Sequence, residues 1–262
     1  MGYPEQPYSS TGNVVQLKDH CPDCGGTGYA RDAADGRGVV KICHCMAEKQ
    51  EQILLERMKI PPRFKGCSFE NFHRDYSGAN SESLFQALGR VKKFTAGYPL
   101  AKRGLILTGS IGTGKTHLAV AALRAIASYK LPGLFCDYRE LLRLVQSTYS
   151  QQSTVSEFEV LGPVMNAEPL VLDELGAVRP TEWAMETISL IINERYNKNL
   201  TTIVTTNYPA IPSQTDRDGD KYVYRPFEPL GSRIGDRSLS RLLGMCDVVT
   251  IQGGDCRKVL RR

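Results

Sequence analysis

The sequence predicts an α/β fold: a five-stranded parallel sheet sandwiched by helices, without a C-terminal lid, preceded by a small cysteine-clustered module. Three observations predict it. A strand–glycine loop–helix pattern opens near residue 105, four further short apolar runs alternate with helical periodicity to the end of the chain, and four cysteines crowd into residues 21–45. Strands that alternate with helices build a parallel, doubly wound sheet with helices on its faces. The expected organisation is an N-terminal module at 1–60 and an α/β domain at 61–262.

At 262 residues, 41% hydrophobic and 23% charged, the chain has the composition of an ordinary globular protein. No apolar run approaches the ~20 residues of a membrane-spanning helix. The start, M-G-Y-P-E-Q-P-Y, lacks the basic and apolar regions of a secretory signal, and it does not fit a myristoylation site. A cytoplasmic location, with no membrane partner, is the expectation. The net charge of +5 is spread along the chain and is compatible with nucleic acid without requiring it.

Taken in order, residues 1–20 show no periodicity and read as a loosely held arm. C-P-D-C-G-G-T-G-Y then sets Cys21 and Cys24 two residues apart, followed by glycines that let the chain fold back. After an 18-residue excursion, C-H-C supplies Cys43 and Cys45. Two such pairs suit a tetrahedral Zn²⁺ site, and a site with four protein ligands is structural rather than catalytic. His44 or His20 is an alternative to one cysteine, and an iron–sulfur cluster or free thiols are the other readings. The excursion, with Gly36, Gly38 and Val39-Val40, suits a hairpin. Cys67, Cys136, Cys246 and Cys256 are scattered and read as small buried hydrophobes. A helix is expected over 46–58, ended by Pro61-Pro62. Phe69 and Phe72 follow, as core residues or as packing for an adenine ring. A second helix at 81–97 carries Leu84, Leu88, Val91 and Phe94 on one face.

The α/β pattern begins with a strand at 105–108. It runs into G-S-I-G-T-G-K-T: Gly109, Ser110, Ile111, Gly112, Thr113, Gly114, Lys115 and Thr116, with His117 next. This is the phosphate-binding loop in its required strand–loop–helix setting. Its glycines let backbone N–H groups converge on phosphate oxygens, and the following helix, 115–129, points its positive end at the same anion. Lys115 adds a charge near the β- and γ-phosphates, and Thr116 offers a hydroxyl to Mg²⁺. A strand at 133–136 and a helix at 138–149 follow. Residues 150–167 are polar and irregular, with some helix. P-L-V-L-D-E-L at 169–175 is a buried strand ending in Asp173 and Glu174, carboxylates that are costly there unless they meet a cation or water. Asp173 is the candidate for Mg²⁺, and Glu174 for the attacking water.

Thr181 is the expected N-cap of a helix over 181–197. A strand at 201–207 ends in Asn207, which orients the lytic water or is a turn residue. Residues 209–230 read as a long surface loop, 233–243 as a basic helix and 248–251 as the fifth strand. Little chain then remains for a helical lid, so a neighbouring copy is expected to close the site. Arg237 and Arg241, four residues apart on one helical face, are placed to reach a γ-phosphate across a subunit boundary, or they form a solvated face.

The segments T-G-S-I-G-T-G-K-T-H-L, V-L-D-E-L-G-A-V-R-P-T-E-W-A-M-E-T, I-I-N-E-R-Y, T-T-I-V-T-T-N-Y-P and S-R-L-L-G-M-C-D-V-V together resemble the DnaC/DnaI-type replicative helicase loaders and the related IstB transposition helpers, which are AAA+ ATPases. The likeness covers about residue 60 onward. It implies a P-loop AAA+ domain that hydrolyses ATP with Mg²⁺, with 109–116 as Walker A, Asp173 and Glu174 as Walker B, and Asn207 as sensor 1. Arg237 becomes the arginine finger and Arg241 the second arginine of its helix. It also implies that the zinc-ribbon-like N-terminal module grips a hexameric replicative helicase, that the protein oligomerises in the ATP state, and that single-stranded DNA meets the helix after the second strand through Arg139, Arg143 and Tyr149. The alternative within the same resemblance is a transposition helper that assembles on duplex DNA and recruits a transposase.

Overall fold

The computed structural model describes residues 21–31, 40–72, 81–100, 103–127, 129, 133–211 and 228–256. It divides into two compact units, Met1–Ile53 and Leu54–Arg262. The expected arm at 1–20, His20, the hairpin tip with Gly36 and Gly38, and most of the 209–230 loop lie outside the described residues.

In the first unit, β1 (Tyr29–Arg31) pairs antiparallel with β2 (Val40–Ile42), Tyr29 opposite Ile42. The helix α1 (His44–Arg57) starts two residues earlier than the periodicity suggests, because the Cys43 carbonyl accepts from Met46 and Ala47 N–H and so opens the first turn. Gly25, Gly26 and Gly28 all take positive φ, which lets the chain reverse tightly after Cys24.

In the second unit, a 3-10 turn at Pro62–Phe64 and α2 (Ser81–Gly97) precede the sheet. Its strands are β3 (Gly104–Gly109), β4 (Leu134–Asp137), β5 (Leu170–Asp173), β6 (Thr202–Thr206) and β7 (Cys246–Ile251), in the order β4-β5-β6-β3-β7. All pairings are parallel. Alternation along β3 sorts the two cores. Leu105 and Leu107 pack with α2 and α3 (Lys115–Ala127), whereas Ile106 faces α4 (Tyr138–Thr148), α5 (Glu157–Asn166) and α6 (Glu182–Asn197). The central strands are buried on both faces, which is why they read as continuous apolar runs.

Three boundaries differ from the sequence reading. Residues 157–166 form a true helix, fixed by a capping box in which Ser156 and Glu159 bond each other's backbone N–H. The expected basic helix at 233–243 is two helices, α7 (Leu230–Ile234) and α8 (Asp236–Met245), broken where Gly235 takes φ +85°. β5 stops at Asp173, since Glu174 has φ +54° and turns the chain. Among the described residues no helix is long and apolar enough to cross a membrane.

Candidate nucleotide site and cysteine cluster

Parallel strands deliver their C-terminal ends to one edge, and the chemistry gathers there. β3 ends at Gly109, and α3 begins at Lys115 after five loop residues. The first intrahelical bond runs from Leu118 N–H to the Gly114 carbonyl at 3.0 Å, so the N–H groups of Lys115, Thr116 and His117 precede the helical ladder. Lys115 is buried, and its Nζ donates to the Gly109 and Ser110 carbonyls at 2.9 and 2.6 Å. Thr113 Oγ1 donates to the Ser110 carbonyl at 3.0 Å. Ile111 is exposed at the loop tip.

Asp173 sits at the end of β5, which β6 separates from β3, and is 4% exposed. Its Oδ1 accepts from Thr116 Oγ1 at 2.9 Å and from Thr205 Oγ1 at 2.5 Å. Burial pushes its carboxyl up to about 6, against the two hydroxyl donors that favour the anion, and the neighbouring Glu174 and Asp137 add to the rise. A buried carboxylate beside the loop hydroxyl is the oxygen donor set that a hard cation such as Mg²⁺ completes, with Thr116 and Asp173 as the residues to hold it. Thr205 does more than touch Asp173: its Oγ1 also accepts the Glu174 N–H at 2.9 Å. One hydroxyl thereby orients both carboxylate residues. The sequence does show a signal for it, because a five-residue buried strand with Thr at three positions must find partners for those hydroxyls.

Glu174 is half exposed and lies 3.4 Å from Arg139 Nε. Arg139, read from the resemblance as a DNA contact, therefore stands against Glu174, because the first turn of α4 rises from the same edge of the sheet. Arg143 is exposed on α4. Tyr149, 57% exposed, caps α4 and accepts a bond from Trp183 Nε1 at 3.2 Å, with the rings edge to face. Asn207 follows β6 directly. Arg237 is exposed and Arg241 half-buried, one turn apart on α8, and neither makes an ion pair or hydrogen bond to another described residue.

The contacts that Phe72, His117 and Arg233 make around the site were not legible beforehand. Phe72 is buried with its ring on Gly114, where a Cβ would stand 2.7 Å from Cε2, and edge-on to His117 at 5.3 Å. His117 Nε2 bonds the Ser68 carbonyl at 2.8 Å. Arg233 donates to the Gly176 and Val178 carbonyls at 2.9 and 2.7 Å, pairs with Glu228 and lies over the Tyr208 ring, fastening α7 to the turn after Asp173-Glu174.

In the first unit, the Sγ atoms of Cys21, Cys24, Cys43 and Cys45 all lie within 4.8 Å of one another. Cys21–Cys43 is 3.7 Å and Cys24–Cys45 is 3.5 Å. Four sulfurs around Zn²⁺ at ~2.3 Å stand ~3.8 Å apart in a regular tetrahedron, so the donor set fits that ion. Burial opposes ionisation of Cys24, but the Gly28 and Gly26 N–H groups and the neighbouring thiols outweigh it and hold that thiol at about 6, while burial and the same neighbours push Cys45 up to about 12. His44 is outside the quartet, with Nδ1 3.6 Å from Cys43 Sγ and 3.2 Å from Asp23 Oδ2.

The chain matches the family model described as IstB-like ATP binding protein over residues 95–262. It is 26% identical over 156 residues to the replicative helicase loader DnaC of Escherichia coli (strain K12), an alignment covering 60% of this chain and 61% of that protein. The chain thus spans about three fifths of the length of such curated relatives. Among solved structures, the DnaC helicase loader superposes with a TM-score of 0.59 at 32% identity, covering 73% of this chain and 99% of that one. DnaI superposes with a TM-score of 0.57 at 22% identity over 74% of this chain and 95% of its own, a likeness of fold. With a five-stranded parallel sheet of the AAA+ type and a phosphate loop at its edge, the chain belongs to the IstB-like ATP binding protein family.

Proposed function

We propose that the protein is an AAA+ ATPase that loads or remodels a hexameric replicative helicase on single-stranded DNA. The observation that carries this reading is the joining of Lys115, Thr116, Asp173 and Glu174 at one sheet edge in a chain that also has a separate four-cysteine unit. In this reading the loop 109–116 holds the triphosphate. Lys115 leaves its loop carbonyls for the β- and γ-phosphates, as a compact charge on a flexible stem does readily. Thr116 and Asp173 hold Mg²⁺, which when bound neutralises charge that develops on the phosphates. Glu174 accepts the proton of the attacking water, with its backbone fixed by Thr205, and Asn207 orients that water. Arg237 and Arg241 face a neighbouring copy and donate charge to its γ-phosphate, a contribution of ~10³–10⁵ in rate where such arginines operate. Cys21, Cys24, Cys43 and Cys45 hold a structural Zn²⁺, and the 1–60 module they organise grips the helicase. Arg139, Arg143 and Tyr149 meet single-stranded DNA, where stacking on an aromatic contributes ~1–3 kcal/mol per base.

The family match supports a second reading, an ATP-dependent transposition helper that assembles on duplex DNA and recruits a transposase. The four-cysteine unit favours the loader. One experiment separates them: ATP turnover with and without single-stranded DNA, duplex DNA and purified hexameric helicase, alongside size-exclusion chromatography. The loader reading expects turnover to respond to single-stranded DNA and a stable complex with the helicase. Assembly driven by duplex DNA alone, with the helicase ignored, overturns it in favour of the transposition helper.

A further inference from the structure

The chain beyond β7 crosses the phosphate loop. Its root is fixed beside α2, where Gln252 N–H donates to Ser83 Oγ at 2.9 Å. It then meets the loop at three points. Ser110 Oγ donates to the Gly253 carbonyl at 2.9 Å, and Cys256 N–H donates to the Gly112 carbonyl at 3.1 Å. The Asp255 side chain packs on Gly112, where a Cβ would stand 2.0 Å from Oδ1. Gly109 is approached as closely by the end of β7, with the Ile251 carbonyl oxygen 2.0 Å from where its Cβ would be. Gly112 thus meets this segment and Gly109 the strand end that leads into it, while the two give the loop its positive φ values of 81° and 150°.

The direction of the Cys256 bond is what matters. The Gly112 carbonyl and the Thr113 N–H belong to one planar trans peptide and point in opposite directions. A Gly112 carbonyl held by the segment therefore turns the Thr113 N–H away from the segment and fixes the direction of one of the loop N–H groups that receive an anion. A loop that must gather several N–H groups on one anion loses entropy on binding unless they are already gathered.

We propose that residues 252–256 form a positioning strap for nucleotide binding: the strap orients the peptides of the loop, and an occupied loop in turn holds the strap in place. The second half follows from the first, since coupling between two sites is reciprocal in free energy. The inference rests on 109–116 being the nucleotide site. It is independent of whether the partner is a helicase or a transposase.

The test uses the full chain with Cys256→Pro, which removes the N–H donor to Gly112, beside Cys256→Ala, which keeps it. A fluorescent ATP analogue with Mg²⁺ is titrated into each. The expected result is affinity about 3–10-fold weaker for Cys256→Pro, the effect of losing one hydrogen bond, and within about 2-fold of the parent for Cys256→Ala. Amide hydrogen exchange over 109–116 without nucleotide should be faster in Cys256→Pro, and exchange over 252–256 in the parent should slow when the analogue binds. Ser83→Ala, outside the loop, loosens the root and should move both readouts in the same direction. Unchanged affinity together with unchanged loop exchange in Cys256→Pro and Ser83→Ala overturns the strap. Lys115→Ala, expected to abolish binding of the analogue, tests the loop as the nucleotide site separately, because the exchange comparison without nucleotide does not depend on it.

Discussion

Thr205 shows how much of the site hangs on one hydroxyl. It donates to the buried Asp173 carboxylate and accepts from the Glu174 backbone, so it aligns the two carboxylate residues on either side of a sharp turn. Glu174 adopts φ +54°, a backbone state that a residue with a side chain holds only when its surroundings impose it. Thr205→Val keeps the shape of the strand and leaves two buried polar groups without that partner, a loss of ~1–3 kcal/mol each when fully buried. The expected outcome is a lower melting temperature and ATP turnover reduced by about tenfold or more, with Thr205→Ser restoring most of both; thermal unfolding and steady-state turnover measured side by side check it. Turnover unchanged in the valine variant would mean that Glu174 does not depend on this hydroxyl. Arg195 makes the same point for stability. It is 1% exposed, and its guanidinium donates to Thr202 Oγ1 and to the carbonyls of Val164, Ala167 and Thr201, which join α5, α6 and the start of β6. Burial lowers its pKa to about 10, opposed by the nearby Glu168, so it remains charged at neutral pH. Arg195→Met should destabilise the domain by about 3 kcal/mol or more, because four acceptors lose a charged donor at once. Arg195→Lys should recover little, since an ammonium cannot reproduce the planar fork. Chemical denaturation measures both, and a lysine variant as stable as the parent would refute the account.

At the scale of elements, what could be read from the sequence was what is local in it. The strand–loop–helix at 104–127 and the apolar run ending in Asp173-Glu174 are contiguous, so spacing alone exposed them. The partners that position them are 30 to 140 residues away, and only the sheet order brings them in: Thr205 because β6 lies beside β5, Arg139 because α4 rises from the same edge, and Gly253 because β7 lies beside β3. The misread boundaries have local causes that the hydrophobic pattern does not report. Residues 150–167 look irregular by polarity, yet S-E-F-E at 156–159 is a capping box and starts a helix. Residues 233–243 look continuous by charge, yet Gly235 at φ +85° ends α7 and starts α8 in a new direction. That break has a consequence for the arginines. Arg233 stays on α7, tied to the turn after Asp173-Glu174, while Arg237 and Arg241 leave on α8. A Cβ at Gly235 meets nothing within 4 Å, so Gly235→Ala strains only the backbone, but at φ +85° and ψ +144°, close to the glycine-only region, by ~1–3 kcal/mol. The expected outcome is a fall in stability of that size with nucleotide binding preserved, read by melting and by titration of an ATP analogue. Loss of binding would show that the angle between α7 and α8 also shapes the nucleotide site.

At the scale of the whole molecule, the two compact units give two separable expectations. The second unit buries its own cores, and the cysteine quartet lies in the first. If Zn²⁺ fills that quartet, its binding energy is folding energy for the short hairpin around it, which has little apolar surface of its own to bury. A strong chelator should therefore increase amide exchange over residues 21–45 while the affinity for an ATP analogue stays within about twofold. A fall in nucleotide affinity on chelation would contradict the independence of the two units. The other expectation concerns association. Arg237 and Arg241 have no partner among the described residues of their own chain, whereas Lys115, Arg139 and Arg233, which stand around the loop and the two carboxylates, each have one. In the proposed function the group they meet is the γ-phosphate of a neighbouring copy. The discriminating measurement is complementation. A Lys115→Ala protomer has a disabled phosphate loop and intact arginines; an Arg237→Ala protomer has the reverse. Each alone should hydrolyse ATP at a small fraction of the parent rate. Mixed at equal concentration they should recover a substantial share, because some interfaces then join an intact loop to an intact arginine. The recovered rate should rise with protein concentration, since association is required. If Arg237→Ala alone retains parental turnover, or if mixing adds nothing while both variants still assemble, the arginines are a solvated face and the site is completed within one chain.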